Sequence, residues 1–131
     1  MATADQGTVL IVEDDPQIAE MISAVLGDEG YQVARADDAV QAVALLEGYR
    51  HPPGQLCLVL LDMMLPRLEG LSVLGHLARL NCSVPVVAMS ASPERLVAAV
   101  QAGVEGTLHK PFEIDRLLTV VEQVCRQGGS A

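Results

Sequence analysis

Side chains that could do chemistry follow four short hydrophobic segments of this chain. They are, in chain order, Glu13, Asp14 and Asp15, then Asp62, then Ser90, and finally Lys110. Mg²⁺ is bound in proteins by one or two carboxylates together with water and phosphate oxygens. A carboxylate can also attack phosphorus and form an aspartyl phosphate, while ammonium and hydroxyl groups can bind phosphoryl oxygens. The residue types therefore favour magnesium-assisted phosphoryl chemistry.

Each of these residues has an ordinary structural explanation when it is considered alone. The acidic run that ends at Asp15 could stabilise the N-terminus of a helix, Asp62 could bond to a loop backbone, and Ser90 and Lys110 could lie in turns. Chance does not explain the whole set well, because it would have to place the acids, the hydroxyl and the lysine directly after four different strands. Neighbouring carboxylates also repel one another, and a divalent cation removes that conflict.

Two kinds of hydrophobic segment alternate along the chain and would position these side chains. Short apolar runs predict strands at Val9–Val12, Tyr31–Ala36, Leu56–Leu61, Val84–Met89 and Thr107–Leu108. Helical spacing of apolar residues predicts a helix after each strand, and the last of these has its apolar face between Ile114 and Cys125. The residues expected to cap or end the helices are Asp15, Gly27, Gly30, Asp37, Asp38, Ser92 and Gly103.

The fold class follows from strands that are apolar on every residue. Such strands are buried on both faces, which is typical of a parallel sheet between two layers of helices. Five strand–helix repeats with right-handed crossovers predict an α/β, doubly wound (βα)5 three-layer sandwich of the flavodoxin-like type. Ligands of these sheets bind beyond the carboxyl ends of the strands, which is where the acids, Ser90 and Lys110 stand.

Composition limits the classes of protein to which the chain could belong. Its 131 residues predict a single domain, 1–131, with a core at about 8–126 and terminal tails at 1–7 and 127–131. Half of the residues are hydrophobic and 19% are charged, which excludes intrinsic disorder. The net charge of −9 argues against direct binding of nucleic acid.

The expected location of the protein is the cytoplasm. No apolar run approaches the roughly 20 residues of a membrane helix, and the polar residues before Thr8 do not resemble a signal peptide. The three cysteines, Cys57, Cys82 and Cys125, are odd in number and widely spaced. They are interpreted as reduced core thiols rather than as a disulfide framework or a zinc site.

Four segments in order resemble the receiver domain of bacterial two-component response regulators, a family that includes chemotaxis proteins. The segments are Val9–Pro16, Leu60–Pro66 with Gly70, Met89–Ala91 and Lys110–Phe112. Each motif is weak by itself, but the ordered set extends over residues 8–126 and is specific. The resemblance implies a sheet with strand order 2-1-3-4-5 and, in many members, a cis peptide bond before Pro111.

The resemblance also implies a phosphoacceptor and a metal site. Asp62 would accept the phosphoryl group, and Asp14 and Asp62 would bind Mg²⁺ directly. Glu13 would act on the ion through water, and the backbone carbonyl of Met64 would complete the protein ligands. Asp15 is expected to cap the following helix instead.

Ser90 and Lys110 would bind the phosphoryl oxygens, and Ser90 would begin a conformational switch. Family members place an aromatic residue of that switch three positions before the lysine, but this chain has Thr107 there. That departure leaves open how the signal spreads. Met64 is a second departure, because an apolar side chain there could hinder the water that hydrolyses the acyl phosphate.

The expected partners follow from the same resemblance. A histidine kinase or a histidine phosphotransfer protein would donate the phosphoryl group, and a downstream protein or an output domain outside this chain would respond. No direct contact with nucleic acid or membrane is expected, and the sequence does not predict the oligomeric state. The chain would be a switch, not an enzyme, with at most self-phosphorylation from small donors and autodephosphorylation.

Two other functions stay open at this level. One is a receiver-like interaction module that works without phosphorylation, which Thr107 keeps under consideration. The other is a magnesium-dependent phosphohydrolase similar to haloacid dehalogenases. Such enzymes need a second aspartate two residues after the nucleophile, and this chain has Met64 at that position.

Overall fold

The computed structural model describes residues 7–49, 56–64, 73–75, 78 and 84–128. Its strands and helices, in chain order, are β1 (Thr8–Val12), α1 (Pro16–Asp28), β2 (Gln32–Ala36), α2 (Ala39–Tyr49), β3 (Leu56–Asp62), β4 (Val86–Ser90), α3 (Pro93–Gln101), β5 (Gly106–His109) and α4 (Ile114–Gly128). Val73, Leu74, Gly75 and Ala78 are helical as well, between β3 and β4. The rest of the helix predicted there, and the loop before β3, lie outside the described residues.

The five strands form one parallel sheet in the order β2-β1-β3-β4-β5. This confirms the predicted doubly wound topology with strand order 2-1-3-4-5. The strands at its centre are buried on both faces, as their uninterrupted apolar sequences predict. In β1, Val9 and Ile11 pack into one side of the core, while Leu10 and Val12 pack into the other.

Sequence signals for the helix ends are confirmed in most places. Asp15 caps α1 by accepting hydrogen bonds from the backbone N–H groups of Gln17 and Ile18. Ser92 caps α3 in the same way, and its hydroxyl accepts from the N–H of Arg95 at 3.3 Å. Asp38 accepts from the N–H of Gln41 at the start of α2.

Some predicted boundaries were wrong by a few residues. Helix α1 does not stop at Gly27 but continues to Asp28, and the chain turns at Gly30, whose φ of 97° suits glycine. Strand β4 begins at Val86 rather than at residue 84. Pro85 has no N–H to donate to the sheet, although its carbonyl accepts a hydrogen bond from Val59.

Within the described residues, no helix has the length and apolar character needed to cross a membrane.

Candidate functional site

Four neighbouring strands deliver polar side chains to one edge of the sheet. Glu13 directly follows β1, Asp62 and Ser90 are the last residues of β3 and β4, and Lys110 directly follows β5. Hydrogen bonds between backbones join these strand ends, from the N–H of Lys110 to the carbonyl of Ser90 at 2.9 Å and from Met63 to Met89 at 2.9 Å. The convergence expected from the sequence is therefore present.

Three carboxylates lie close together at this edge. Oxygen atoms of Glu13, Asp14 and Asp62 all lie within 4.8 Å of one another. Glu13 and Asp62 are buried, with 2% and 4% of their surface exposed, whereas Asp14 is exposed to solvent. Two buried carboxylates at this separation repel each other unless a cation or a proton is shared between them.

Lys110 supplies a positive charge between the two buried acids. Its Nζ donates hydrogen bonds to Oε1 of Glu13 at 2.6 Å and to Oδ2 of Asp62 at 3.3 Å. Burial by itself would lower the pKa of Lys110. The hydrogen bond to Glu13 and the charge of Asp62 outweigh burial, so that the pKa of Lys110 is raised above its usual value.

Among the acids of the site, Glu13 has a clearly shifted pKa. Burial raises the pKa of Glu13 to about 7, and the hydrogen bond from Lys110 opposes that rise. Asp62 raises the pKa of Glu13 further, and the backbone N–H of Asp15, which donates to Oε2 at 3.1 Å, lowers it. Near neutral pH the metal-free site therefore holds Glu13 close to its titration midpoint.

The carboxylate of Asp62 is oriented by the backbone as well as by Lys110. Its Oδ1 accepts a hydrogen bond from the N–H of Met64 at 2.9 Å, while Oδ2 faces the lysine. The side chain of Met64 is 54% exposed, so it is not part of the core. No contact of the described residues tests the predicted role of its carbonyl as a metal ligand, and that role stays a prediction.

Ser90 is buried at the same edge of the sheet, and among the described residues no hydrogen bond joins its hydroxyl to the acids. Its hydroxyl oxygen accepts a hydrogen bond from the backbone N–H of Ser92 at 3.0 Å. Since Ser92 is also the N-cap of α3, Ser90 is connected to the start of that helix. Thr107 is half-buried in β5, paired with Ala88 of β4.

The donor set suits a hard divalent cation. Carboxylate oxygens are ligands that Mg²⁺ binds well, and Asp14 of this cluster is exposed to solvent. Glu13 is engaged by Lys110, which fits the indirect role expected for it better than direct coordination. The residues present therefore fit a magnesium ion held mainly by Asp14 and Asp62.

Sequence reasoning missed two features of the structure. It placed Lys110 at this edge of the sheet, with its charge available to a phosphoryl oxygen or to Asp62, but it did not predict that the ammonium group also binds Glu13. It also treated the cysteines separately, although Cys57 and Cys125 are in contact through their sulfur atoms. Both thiols are half-buried and are not joined by a disulfide bond; Cys82 lies outside the described residues.

Comparisons with known proteins point to one family. A sequence profile described as "Response regulator receiver domain" matches residues 9–122. The chain is 35% identical over 124 residues to the probable transcriptional regulatory protein TcrX of Mycobacterium tuberculosis, covering 93% of this chain and 51% of that protein. It is 38% identical over 119 residues to the nitrogen assimilation regulatory protein NtrX of Azorhizobium caulinodans, covering 88% of this chain and 25% of that protein.

Solved structures agree with the sequence comparisons. The receiver domain of NtrX from Brucella abortus superposes with a TM-score of 0.81 at 32% identity, covering 90% of this chain and 98% of that one. The Francisella response regulator 1452 receiver domain also gives a TM-score of 0.81, at 29% identity, and covers 92% and 98% of the two chains. The chain thus spans about half the length of TcrX and a quarter of that of NtrX. The sheet order, the acidic edge and the profile match together show that this chain belongs to the receiver domain family of the two-component response regulators.

Proposed function

We propose that this chain is a phosphoacceptor switch in which Asp62 receives a phosphoryl group from a histidine kinase or a histidine phosphotransfer protein. The observation that carries the proposal is the position of the Asp62 carboxylate, which is buried, 3.3 Å from the ammonium group of Lys110 and within 4.8 Å of the acids Glu13 and Asp14. Because the ammonium group of Lys110 balances the charge of the Asp62 carboxylate, a negatively charged phosphoryl group can approach it.

In the transfer step an oxygen of Asp62 attacks phosphorus of the phosphohistidine donor. A new P–O bond forms, the P–N bond breaks, and the imidazole leaves with the electron pair of that bond. Lys110 then exchanges its contact with the carboxylate for one with a phosphoryl oxygen, and the hydroxyl of Ser90 donates to another. Asp14, Asp62 and the backbone carbonyl of Met64 would hold a Mg²⁺ ion, which would offset the charge of the phosphoryl oxygens.

The switch would begin at Ser90. Its hydroxyl oxygen accepts from Ser92 in this structure. A turn of that hydroxyl towards a phosphoryl oxygen changes the bond to the residue that caps α3. Phosphorylation adds nearly two negative charges and new acceptor oxygens, so this rearrangement has a local electrostatic cause. Thr107, which pairs with Ala88 two residues before Ser90, would take the place of the aromatic residue in the family pattern.

The proposal also covers the location, the domain extent and the partners of the switch. The chain acts in the cytoplasm as a single domain, 1–131, and works as a switch with at most self-phosphorylation and autodephosphorylation. Family membership supports a kinase or a phosphotransfer protein as donor. TcrX and NtrX carry further chain beyond the matched part, which supports a downstream protein or an output domain as the receiver of the signal.

The test uses a small phosphodonor. We expect that incubation with Mg²⁺ and acetyl phosphate or phosphoramidate adds one phosphoryl group, seen by intact mass, and that hydroxylamine removes it as it does other acyl phosphates. Asp62→Asn abolishes the adduct because the amide is not a nucleophile. The matched control is Asp28→Asn, at the exposed end of α1, which keeps the adduct.

The competing functions give different results. Rapid multiple turnover on many phosphate monoesters would indicate a phosphohydrolase. An absence of both adduct and Mg²⁺ affinity in the folded protein would contradict the proposal and leave the phosphorylation-independent interaction module.

A further inference from the structure

Two cysteines from distant parts of the chain meet at the edge of the sheet opposite Asp62. Cys57 is the second residue of β3, Cys125 is on α4, and they are 68 positions apart in sequence. Their Sγ atoms lie 2.7 Å apart and make a thiol–thiol contact in which either group can donate. A disulfide bond has a length of about 2.05 Å, so bond formation needs only a small movement of the two sulfur atoms.

We propose that Cys57 and Cys125 are a modification site at which a neutral hydroperoxide forms an intramolecular disulfide bond, joining α4 to β3. This goes beyond the phosphoacceptor function and does not depend on it.

The surroundings of Cys125 select the class of oxidant. The residue lines a cavity of about 620 Å³ together with Tyr31, Glu29, Asp115 and Glu122. Such a volume admits a small molecule. The three carboxylates on its wall repel anionic oxidants such as glutathione disulfide, whereas hydrogen peroxide carries no charge and can enter.

Tyr31 lies on the wall of the same cavity as Cys125. Burial raises the pKa of the Tyr31 phenol to about 12, and Cys125 and Cys57 contribute to the rise, as do Glu122 and Glu29. The phenol therefore stays protonated and uncharged at neutral pH. The cavity wall next to the sulfur atoms is neutral, with acids around it.

The reaction balances with one molecule of peroxide. The sulfur of Cys125 attacks a peroxide oxygen, so that an S–O bond forms, the O–O bond breaks and one water leaves, giving a sulfenic acid. The sulfur of Cys57 then attacks the sulfenic sulfur, the S–S bond forms and the S–O bond breaks, and a second water leaves. Two thiols and one hydrogen peroxide thus become one disulfide and two waters.

The speed of the first step is limited by the environment of Cys125. The hydrogen bond with Cys57 raises the pKa of Cys125 well above its usual value, and burial adds to this. Because the thiolate is the attacking form, oxidation is slow at neutral pH.

The disulfide would hold the C-terminal helix on the sheet without disturbing the acidic edge. Leu117, Val121 and Val124 of α4 already pack in the core beside β3, and the bond adds a covalent link that restricts the unfolded chain. Asp62 lies at the other end of β3, five residues along the strand and about 16 Å away. The oxidised chain should accept phosphate from a small donor as the reduced chain does.

The experiment uses the full chain with Cys82→Ser, so that only the two neighbouring thiols can react. After exposure to hydrogen peroxide we expect an intact mass lower by two hydrogen atoms, restored by dithiothreitol, and a protease-derived peptide pair that joins residues 57 and 125. The midpoint of thermal unfolding rises by about 10 °C in the oxidised form. In a dithiothreitol redox buffer the disulfide is about a hundredfold more stable in the folded chain than in concentrated urea.

Control variants separate this site from general thiol oxidation. Cys57→Ala and Cys125→Ala, each in the Cys82→Ser background, cannot lose two hydrogen atoms within one chain and instead gain oxygen on the remaining thiol. Overoxidation of the two-thiol protein without a disulfide, covalent dimers as the main product, or equal disulfide stability in buffer and in urea would each overturn the proposal.

Discussion

The two ends of strand β3 carry opposite kinds of chemistry. Asp62, at the carboxyl end, is a buried carboxylate bonded to Lys110. Cys57, near the amino end, contacts Cys125 through their sulfur atoms. The residues from Leu58 to Leu61 between them are aliphatic and have no exposed surface. The core fixes the position of the strand, and chemistry is possible only where the strand leaves the core.

Parallel topology explains why the charged groups gather at one end. Every strand runs in the same direction, so the N-termini of α1 and α3 lie near the carboxyl ends of β1 and β4. Helix N-termini carry partial positive charge and N–H groups without helical partners, which favours carboxylates and phosphate there. Cys125 lies instead near the C-terminal end of α4, where partial negative charge disfavours an acid.

The largest effect should come from removing the ammonium group of Lys110, which lies between the two buried acids of the site. Lys110→Ala leaves Glu13 and Asp62 buried beside each other without a counter-charge, and we expect a loss of about 3 kcal/mol in the free energy of unfolding of the metal-free protein at alkaline pH. The loss becomes smaller as the pH falls, because Glu13 takes up a proton instead. Urea denaturation in the presence of a chelator measures it.

A surface ion pair provides the matched control for this variant. Arg35 lies 3.9 Å from Glu20, and both side chains are substantially exposed. Arg35→Ala should change stability by less than about 1 kcal/mol, and Mg²⁺ should restore part of the stability of Lys110→Ala but not alter Arg35→Ala. An equal loss in both variants would mean that burial of the charges at the acidic end has no energetic consequence.

The second effect concerns the proton of Glu13. Its pKa is raised to about 7 in the folded protein, so the folded state binds this proton more tightly than the unfolded state, where the pKa is about 4.3. The stability contributed by the protonated form is therefore complete below about pH 4 and is lost as the pH rises through about 7. In the metal-free protein stability therefore falls over that interval.

Glu13→Gln isolates this effect because the amide does not titrate. The difference in unfolding free energy between the parent chain and Glu13→Gln should change over the interval from about pH 5 to about pH 8, in the direction of a relatively more stable variant at the higher pH. Chemical denaturation at several pH values checks it. A difference that stays constant with pH would show that Glu13 is charged throughout, and that Lys110 cancels the cost of burial completely.

The fold was predictable because its signals are local. Val9–Val12 and Leu56–Leu61 are apolar without interruption, as expected of short strands buried on both faces, and Asp15 and Ser92 mark the starts of helices. Gly27 shows the limit of such signals. Helix α1 passes through Gly27 and ends at Asp28, because a glycine inside a helix costs only about 1 kcal/mol and does not stop the helix by itself.

The edge at which the candidate site lies was predictable, but the contacts within it were not. Topology alone places the ends of β1, β3, β4 and β5 together, which brings Glu13, Asp62, Ser90 and Lys110 to one edge. The two hydrogen bonds of Lys110 depend on the direction of its side chain after the strand ends. The contact between Cys57 and Cys125 depends on how the helix is rotated against the sheet. Neither quantity can be obtained from spacing along the sequence.

The smallest predicted effect is on stability, and it distinguishes Asp15, which caps α1, from the neighbouring acids Glu13 and Asp14. Asp15 follows Glu13 and Asp14 but points at the backbone N–H groups of Gln17 and Ile18, so its oxygen matters more than its charge. Asp15→Ala should reduce stability by about 1 kcal/mol, and Asp15→Asn by only a few tenths, because asparagine keeps the acceptor. Neither variant should change Mg²⁺ affinity more than about twofold, since a charge at the surface is strongly screened. A tenfold loss of affinity in Asp15→Asn would instead make Asp15 part of the acidic cluster, and the charged end of the molecule would then extend onto the helix.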